Sequence, residues 1–143
     1  LIKEQIRVAA GEPLSSHVCN AQPRGHSIEC RINAEDPYNN FAPSPGNISL
    51  WYAPGGKGVR VDTHVYAGYT VPPYYDSMIA KVITVGATRE EAIARMTGAL
   101  NEMVVEGVPT TIGLHQRLLT HPDFVSGDID TGFLERELEG LLT

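Results

Sequence analysis

Apolar and polar residues alternate strictly from Ser27 to Ala34, where every even-numbered position is apolar and every odd-numbered position is polar. Successive side chains of a β-strand point to opposite faces, so this pattern predicts a strand with one buried face and one exposed face. Arg31 then lies on the exposed, polar face. The Pro, Gly and Asn residues between Pro37 and Gly46 predict a long turn after this strand.

Three further segments have the composition of strands. Ile48 to Ala53 contains two adjacent aromatic residues, and Val59 to Asp62 alternates as an edge strand would. Met78 to Val85 is almost continuously apolar, which predicts a strand buried on both faces. No helix-length segment separates these strands, so we expect a mostly antiparallel sheet.

The spacing of apolar residues becomes helical in the second half of the chain. Thr88 and Glu91 have the spacing of a capping box, in which each side chain binds a free backbone N–H of the first turn. From Ala92 to Val104, apolar residues recur at steps of three and four, which predicts a helix with one face on the sheet. Gly107 is expected to end this segment.

Start and stop signals predict three other helices. The segment from 12 to 24 has no periodicity and is expected to be a surface connection, whereas His121 and Pro122 are expected to stop a helix. The three predicted helices run from Leu1 to Ala10, from Thr110 or Thr111 to about Thr120, and from Gly132 to Leu142 with Thr131 as its cap.

Strands followed by helices predict an α+β fold, with helices packed on a mostly antiparallel sheet. The length of 143 residues and the hydrophobic content of 42% suit one core, so we expect a single domain over residues 1–143. The chain starts at Leu1 rather than Met, and its first helix is typical of the end of a longer one. We therefore expect it to be part of a larger protein.

Composition and charge exclude several classes of partner. The net charge is −6 with only 11 Lys and Arg, so no basic surface is expected to bind nucleic acid. No apolar run approaches the roughly 20 residues needed to cross a bilayer. Two unpatterned cysteines do not make a disulfide framework, which predicts a cytoplasmic protein.

Two other motifs suggest binding sites but lack the required spacing. The glycine-rich segment from Gly55 to Gly58 lacks the phosphate-loop spacing and precedes no helix, so a hairpin turn is predicted there. The five histidines form no pairs with metal-ligand spacing, so no metal site is predicted.

Arg31 and Asp76 are the residues with the strongest functional interest. A charged residue on a strand face is usually solvated or paired, and Arg31 has Glu29, Glu35 and Asp36 close by in sequence. Asp76 has the ordinary interpretation of a carboxylate at a turn or strand start. The alternative hypothesis is that Asp76 orients Arg31, because a buried arginine needs a partner.

Two segments carry a resemblance to a known family. They are Gly-His-Ser-Ile-Glu-Cys-Arg-Ile-Asn-Ala-Glu-Asp from Gly25 to Asp36 and Val-Pro-Pro-Tyr-Tyr-Asp-Ser-Met-Ile-Ala-Lys from Val71 to Lys81. Over nearly its whole length the chain resembles the C-terminal domain of biotin carboxylases. These enzymes use ATP, Mg²⁺ and bicarbonate to carboxylate biotin on a carrier protein.

The resemblance implies a role for Arg31. In the family, the arginine of this motif lies near bicarbonate and the ureido group of biotin, where its charge would stabilise an oxyanion. The resemblance also implies that the nucleotide, metal and bicarbonate ligands and the catalytic base lie before Leu1. The 143-residue chain alone is therefore expected to be inactive.

The resemblance further implies partners and an interface. The expected partners are a biotin carboxyl carrier protein and a carboxyltransferase, as in acetyl-CoA carboxylase of fatty acid synthesis. Bacterial members form a dimer contact through the segment that holds Arg60, together with the position of Lys57. Bacterial members often carry a bulky apolar residue where this chain has Lys57.

Two alternatives to the acetyl-CoA carboxylase assignment remain. Acetyl-CoA carboxylase is the favoured assignment, and the corresponding domain of propionyl-CoA, pyruvate or urea carboxylase is an alternative, because a partner carboxyltransferase selects the acceptor. It is also compatible with a non-catalytic scaffold domain that has kept the fold. The sequences before Leu1 and after Thr143 are expected to separate these possibilities.

Overall fold

A computed structural model describes all residues from 1 to 143. The chain forms six α-helices and nine β-strands, and every strand pairs antiparallel with another strand. The helices are α1 (Ile2–Ala9), α2 (Ser16–Cys19), α3 (Arg89–Glu102), α4 (Ile112–Leu118), α5 (Pro122–Ser126) and α6 (Phe133–Leu142). The strands are β1 (His26–Asn33), β2 (Glu35–Asp36), β3 (Ala42–Pro43), β4 (Gly46–Asn47), β5 (Leu50–Tyr52), β6 (Val59–Thr63), β7 (Thr70–Val71), β8 (Met78–Gly86) and β9 (Val104–Glu106).

The main sheet has three strands in the order β1-β8-β6. Its register places Arg31 of β1 opposite Lys81 of β8, and Lys81 opposite Asp62 of β6. The other strands form three two-stranded ladders, β2-β3, β4-β7 and β5-β9. The predicted α+β fold with an antiparallel sheet is confirmed, although the strands divide among four small sheets.

Helix α3 covers one face of the main sheet and completes the core. Met96 and Leu100 of α3 are fully buried with Ile32 of β1 and Val82 of β8, within a cluster of 17 buried residues. In β1 the even-numbered residues from 28 to 32 are buried, as the alternation predicts. The polar face of β1, which carries Arg31, is therefore turned away from α3.

Strand β8 is buried on one face only, so the prediction of two buried faces was wrong. From Ala80 onward its residues alternate, and Val82 is buried whereas Val85 is 49% exposed. A strand has two faces, and α3 covers only one of them. Lys81, Ile83 and Val85 lie on the other face.

The glycine-rich segment is a turn but does not close a hairpin. Strand β5 before it pairs with β9, and strand β6 after it pairs with β8. Gly56 and Gly58 have φ angles of 115° and 77°, which L side chains rarely adopt. The segment carries the chain from one sheet to another, and the hairpin prediction was wrong.

The capping box of α3 is present with a shift of one residue. The Thr88 hydroxyl accepts a hydrogen bond from the Glu91 N–H at 3.2 Å, as predicted. The Glu91 carboxylate instead accepts from the Ala87 N–H, at 2.6 Å. At its other end α3 stops at Glu102, and after Met103 the residues Val104–Glu106 form β9, since β-branched valines suit a strand.

The C-terminal helices differ from the prediction at their starts. Pro122 does not only stop α4; it also begins α5, since proline is favoured at the first helical position. The His121 ring nitrogen Nδ1 accepts a hydrogen bond from the Asp123 N–H. Helix α6 begins after Gly132 without a side-chain cap, so Thr131 is not its cap.

The N-terminal segment has two helices rather than one. Glu4 of α1 is buried and accepts a hydrogen bond from the Ser15 N–H at 2.6 Å, at the start of α2. Gly11, with φ at 87°, follows α1 as predicted. None of the helices in the chain is long and apolar enough to span a lipid bilayer.

Candidate functional site around Arg31

Arg31 projects from the middle of β1 on the sheet face opposite α3. Its side chain is 66% exposed, and its Nε donates to a Glu29 carboxylate oxygen at 3.0 Å. The two terminal nitrogens of the guanidinium have no acceptor within the chain. Glu29 therefore fixes one edge of the guanidinium while the terminal nitrogens stay free for an anion.

Glu29 is the carboxylate that pairs with Arg31, rather than Glu35 or Asp36. Glu35 instead accepts hydrogen bonds from Asn33 Nδ2, at 3.2 Å, and from the Ser77 hydroxyl. The Asp36 carboxylate accepts from the Tyr38 N–H at 3.0 Å. Of the three acidic residues expected nearby, only Glu29 pairs with Arg31 and neutralises part of its charge.

Charged residues cross the exposed face of the sheet next to Arg31. The row that starts at Arg31 continues with Lys81 and ends at Asp62. Arg60 donates two hydrogen bonds to Asp62, both at 2.8 Å, and these lower the pKa of the Asp62 carboxyl. Asp62 is therefore ionised at neutral pH, and the cationic side chain of Lys81 lies between it and Arg31.

The backbone of Arg31 is held from the other side by α4. The Arg31 carbonyl accepts a hydrogen bond from Nε2 of His115 at 2.8 Å and a second from the Thr111 hydroxyl at 3.3 Å. Burial lowers the pKa of His115, while its bond to the Arg31 carbonyl opposes that shift. The imidazole is therefore neutral at pH 7, with its proton on Nε2.

Neither residue is predicted from the sequence as part of this site. Thr111 is expected there only as a possible helix cap, and His115 is considered only as a metal ligand. Thr111 and Arg31 are separated by 80 residues, so no local pattern connects them. The only available signal is a threonine and a histidine four residues apart, which lie on one face of a helix.

Asp76 lies two residues before β8 and does not contact Arg31. Its carboxylate accepts a hydrogen bond from the Met78 N–H at 2.7 Å. Arg31 lies opposite Lys81, five residues further along the same strand segment. This position fits a carboxylate at a strand start. With Ser44, Asp76 also lines a cavity of about 260 Å³ between the Pro43–Pro45 and Pro72–Pro73 segments.

Lys57 and Arg60 lie near the far edge of the main sheet. Lys57 is exposed in the glycine-rich turn. The hydrogen bond from the Ala87 N–H lowers the pKa of Glu91, and the charge of Lys57 adds a smaller lowering. Arg60 is exposed on β6, the edge strand opposite β1. Strand β8 therefore separates both residues from Arg31.

No three side chains of His, Cys, Asp or Glu converge in a way that could hold a metal ion. The carboxylates near Arg31 are each engaged by a neighbouring group, as described for Glu29, Glu35 and Asp62. The residues of this chain therefore do not fit a Mg²⁺ site.

Comparisons with known proteins agree with the resemblance seen in the sequence. The chain is 61% identical over 135 residues to biotin carboxylase 1 of Bacillus subtilis, covering 94% of this chain and 30% of that protein. It is 50% identical over 141 residues to a pyruvate carboxylase subunit of Methanothermobacter thermautotrophicus, covering 99% of this chain and 29% of that protein. The chain thus spans about 30% of the length of these relatives.

Solved structures give the same result. The biotin carboxylase domain dimer of the 2-oxoglutarate carboxylase from Hydrogenobacter thermophilus, in complex with MgADP, ADP and bicarbonate, matches with a TM-score of 0.87 at 45% identity. That match covers 96% of this chain and 30% of the other. The model of the biotin carboxylase C-terminal domain family matches residues 29–136, which include Glu29, Arg31, Asp76 and His115. The chain belongs to the biotin carboxylase C-terminal domain family.

Proposed function

We propose that this chain is the C-terminal domain of an enzyme that uses ATP and bicarbonate to carboxylate biotin on a carrier protein. The observation that carries the proposal is Arg31, which lies within the family match with its two terminal nitrogens unpaired. The Glu29 carboxylate accepts a hydrogen bond from the third guanidinium nitrogen, Nε. A positioned guanidinium with free donors suits an anionic group on a substrate.

Arg31 acts on the biotin side of the reaction. Loss of the proton from the ureido nitrogen of biotin leaves negative charge on the ureido oxygen. A fixed guanidinium directed at that oxygen stabilises the charge, and it does so more strongly where water is excluded. Arginine suits this role better than lysine, because its planar fork presents two parallel N–H groups.

ATP and Mg²⁺ belong to the remainder of the enzyme. The related 2-oxoglutarate carboxylase domain was crystallised with MgADP and bicarbonate. The present chain has no group of carboxylates suited to Mg²⁺. Its own contribution is to hold the Arg31 guanidinium on a rigid strand; residues outside this chain provide the nucleotide site.

The partners proposed for the whole enzyme are a biotin carboxyl carrier protein, a carboxyltransferase and a second copy of the enzyme. The dimer contact is proposed at Lys57 and Arg60, both of which are exposed here. Burying an unpaired lysine costs on the order of several kcal/mol, so Lys57 needs an acidic partner in such an interface. The proposed compartment is the cytoplasm, and the proposed pathway is fatty acid synthesis.

The biotin carboxylase part of a pyruvate carboxylase is the second candidate. The support is the 50% identity to the pyruvate carboxylase relative, which is lower than the 61% identity to a biotin carboxylase named without an acceptor. Both candidates share the carboxylation of biotin and differ only in the later transfer to an acceptor. Propionyl-CoA carboxylase and urea carboxylase are further candidates for the whole enzyme.

Grafting the chain into a known enzyme tests the proposal against a scaffold role. The chain would replace the matching region of Bacillus subtilis biotin carboxylase 1, to which it is 61% identical. We expect the hybrid to carboxylate biotin with ATP and bicarbonate. A folded hybrid that binds ATP but does not carboxylate biotin would favour a scaffold domain.

A further inference from the structure

Arg31 lies on an edge strand, and one side of that strand is closed by a helix. Strand β1 pairs only with β8, so its other edge carries backbone groups without strand partners. Three of these groups, on Arg31 and Asn33, are bound by α4 and its N-terminal residue. The peptide that carries Arg31 is thereby held by β8 on one side and by α4 on the other.

Thr111 makes the connection with its hydroxyl and its backbone. The hydroxyl accepts from the Asn33 N–H at 3.1 Å and donates to the Arg31 carbonyl at 3.3 Å. The Thr111 N–H donates to the Asn33 carbonyl at 3.1 Å. Thr111 is buried, with 5% of its surface exposed, so these bonds are largely shielded from water.

Thr111 does not cap α4 with its side chain, although its position would allow this. It is the N-cap residue of α4, yet its side chain makes no capping hydrogen bond. A threonine cap typically stabilises a helix by about 1 kcal/mol. The hydroxyl instead forms hydrogen bonds with the backbone of β1. Helix α4 therefore has no side-chain cap, and the strand that carries Arg31 is stabilised.

His115 adds a second donor on the same carbonyl. Its Nε2 lies 2.8 Å from the Arg31 oxygen, one helical turn beyond Thr111. Two side-chain donors on one carbonyl restrict rotation of that peptide and so fix the direction in which the Arg31 side chain leaves the strand. We infer that Thr111 and His115 are positioning residues for Arg31, an inference that rests on the proposed function of that arginine.

A displacement of a reacting group by about 1 Å can lower an enzymatic rate by about 10²-fold. We therefore expect His115→Leu, in a biotin carboxylase that carries this domain, to lower kcat for biotin carboxylation by roughly 10- to 100-fold. The KM for ATP should change little, because the nucleotide site lies outside this chain. His115→Gln should recover most of the rate, since its amide nitrogen can still donate to the Arg31 carbonyl.

Gln116→Leu is the matched control. Gln116 is the next residue of α4, and its side chain donates to the Leu100 carbonyl of α3 at 3.2 Å. Removing it deletes a contact between α4 and the core without affecting β1. If the role of His115 is only structural, His115→Leu and Gln116→Leu should lose the same amount of carboxylation activity when their melting temperatures are similar. That result would overturn the inference.

A second pair of variants decides the question if His115→Leu does not fold. Thr111→Val removes the hydroxyl and keeps the side-chain shape, whereas Thr111→Ser keeps the hydroxyl. We expect the valine variant to lose biotin carboxylation and the serine variant to retain it. Equal rates for the two would contradict the inference.

Arg31→Gln, measured in the same assay, separates this inference from the proposed function. If Arg31→Gln has no effect, the role proposed for Arg31 fails, and the positioning role fails with it. If Arg31→Gln lowers the rate while His115→Leu matches the Gln116→Leu control, only the positioning role fails.

Discussion

The two cysteines of the chain differ in burial. Cys30 lies on the buried face of β1, and burial raises the pKa of its thiol to about 12. Cys19, at the end of α2, is exposed. The thiolate is the reactive form, so the two residues should differ sharply towards thiol reagents.

We expect a disulfide reagent at pH 8 to modify Cys19 quickly and Cys30 only after unfolding. A pKa of about 12 lowers the thiolate fraction of Cys30 by about 10³-fold relative to an unperturbed thiol. Counting modified thiols per chain before and after adding denaturant checks this. Rapid modification of both thiols in the folded protein would contradict the placement of Cys30 in the core.

At the scale of secondary-structure elements, two threonines give a matched test of capping. Thr88 caps α3 through its hydroxyl, whereas Thr131 makes no capping bond to α6. Thr88→Ala should lower the free energy of unfolding by about 1 kcal/mol, and Thr131→Ala should leave it nearly unchanged. Urea titration of both variants measures the difference. Equal losses would show that the α6 boundary is wrong.

The α4 helix should make stability depend on pH through His115. The folded pKa of His115 is lowered, mainly by burial, so the unfolded chain takes up a proton first as the pH falls. Its contribution to the free energy of unfolding therefore decreases below about pH 6.5 and continues to decrease down to the folded pKa. His115→Gln should flatten this part of the pH profile. An unchanged slope between about pH 7 and pH 5 would contradict a neutral, half-buried His115.

The sequence predicts those strands and helices that are defined by neighbouring residues. The alternation in β1 and the capping signal of α3 are visible because neighbouring residues define them. Strand β9 reads as the end of α3 in the sequence, because its partner β5 lies about 50 residues earlier in the chain and only that pairing makes it a strand. Helix α5 has five residues, too few to show a period.

In the candidate site, too, local contacts can be predicted from the sequence and long-range contacts cannot. The polar face of β1 places Arg31 and Glu29 together from their spacing alone. The support from Thr111 and His115 depends on folding across about 80 residues, which no spacing rule describes. The hypothesis that Asp76 orients Arg31 assumes that two motifs of one sheet meet, but the register separates them along the strands.

At the scale of the whole molecule, one buried core joins the main sheet to α3. The 17-residue cluster includes residues from β1, β8 and α3, and α4 lies on its edge. We expect the isolated 143-residue chain to unfold in a single cooperative transition and to show no ATP hydrolysis. Circular dichroism and a phosphate-release assay measure the two properties. Bicarbonate-dependent ATP hydrolysis by the isolated chain would contradict the assignment of the nucleotide site to other residues.

The central claim is that Arg31 stabilises negative charge on biotin. Its matched control is Arg136, which is also exposed and also pairs with a carboxylate at 3.0 Å, that of Asp130. Each arginine would be replaced by glutamine in a biotin carboxylase that carries this domain, which removes the charge and keeps hydrogen-bonding capacity.

Steady-state kinetics of these two variants test the claim most directly. Loss of one preorganised donor to an oxyanion typically lowers a rate by about 10²- to 10³-fold. We predict a loss of that size in biotin carboxylation for Arg31→Gln, with little change in the KM for ATP and none of this loss for Arg136→Gln. A carboxylation rate for Arg31→Gln within about threefold of the parent enzyme would contradict the claim, and would leave Arg31 as an ordinary surface ion pair with Glu29.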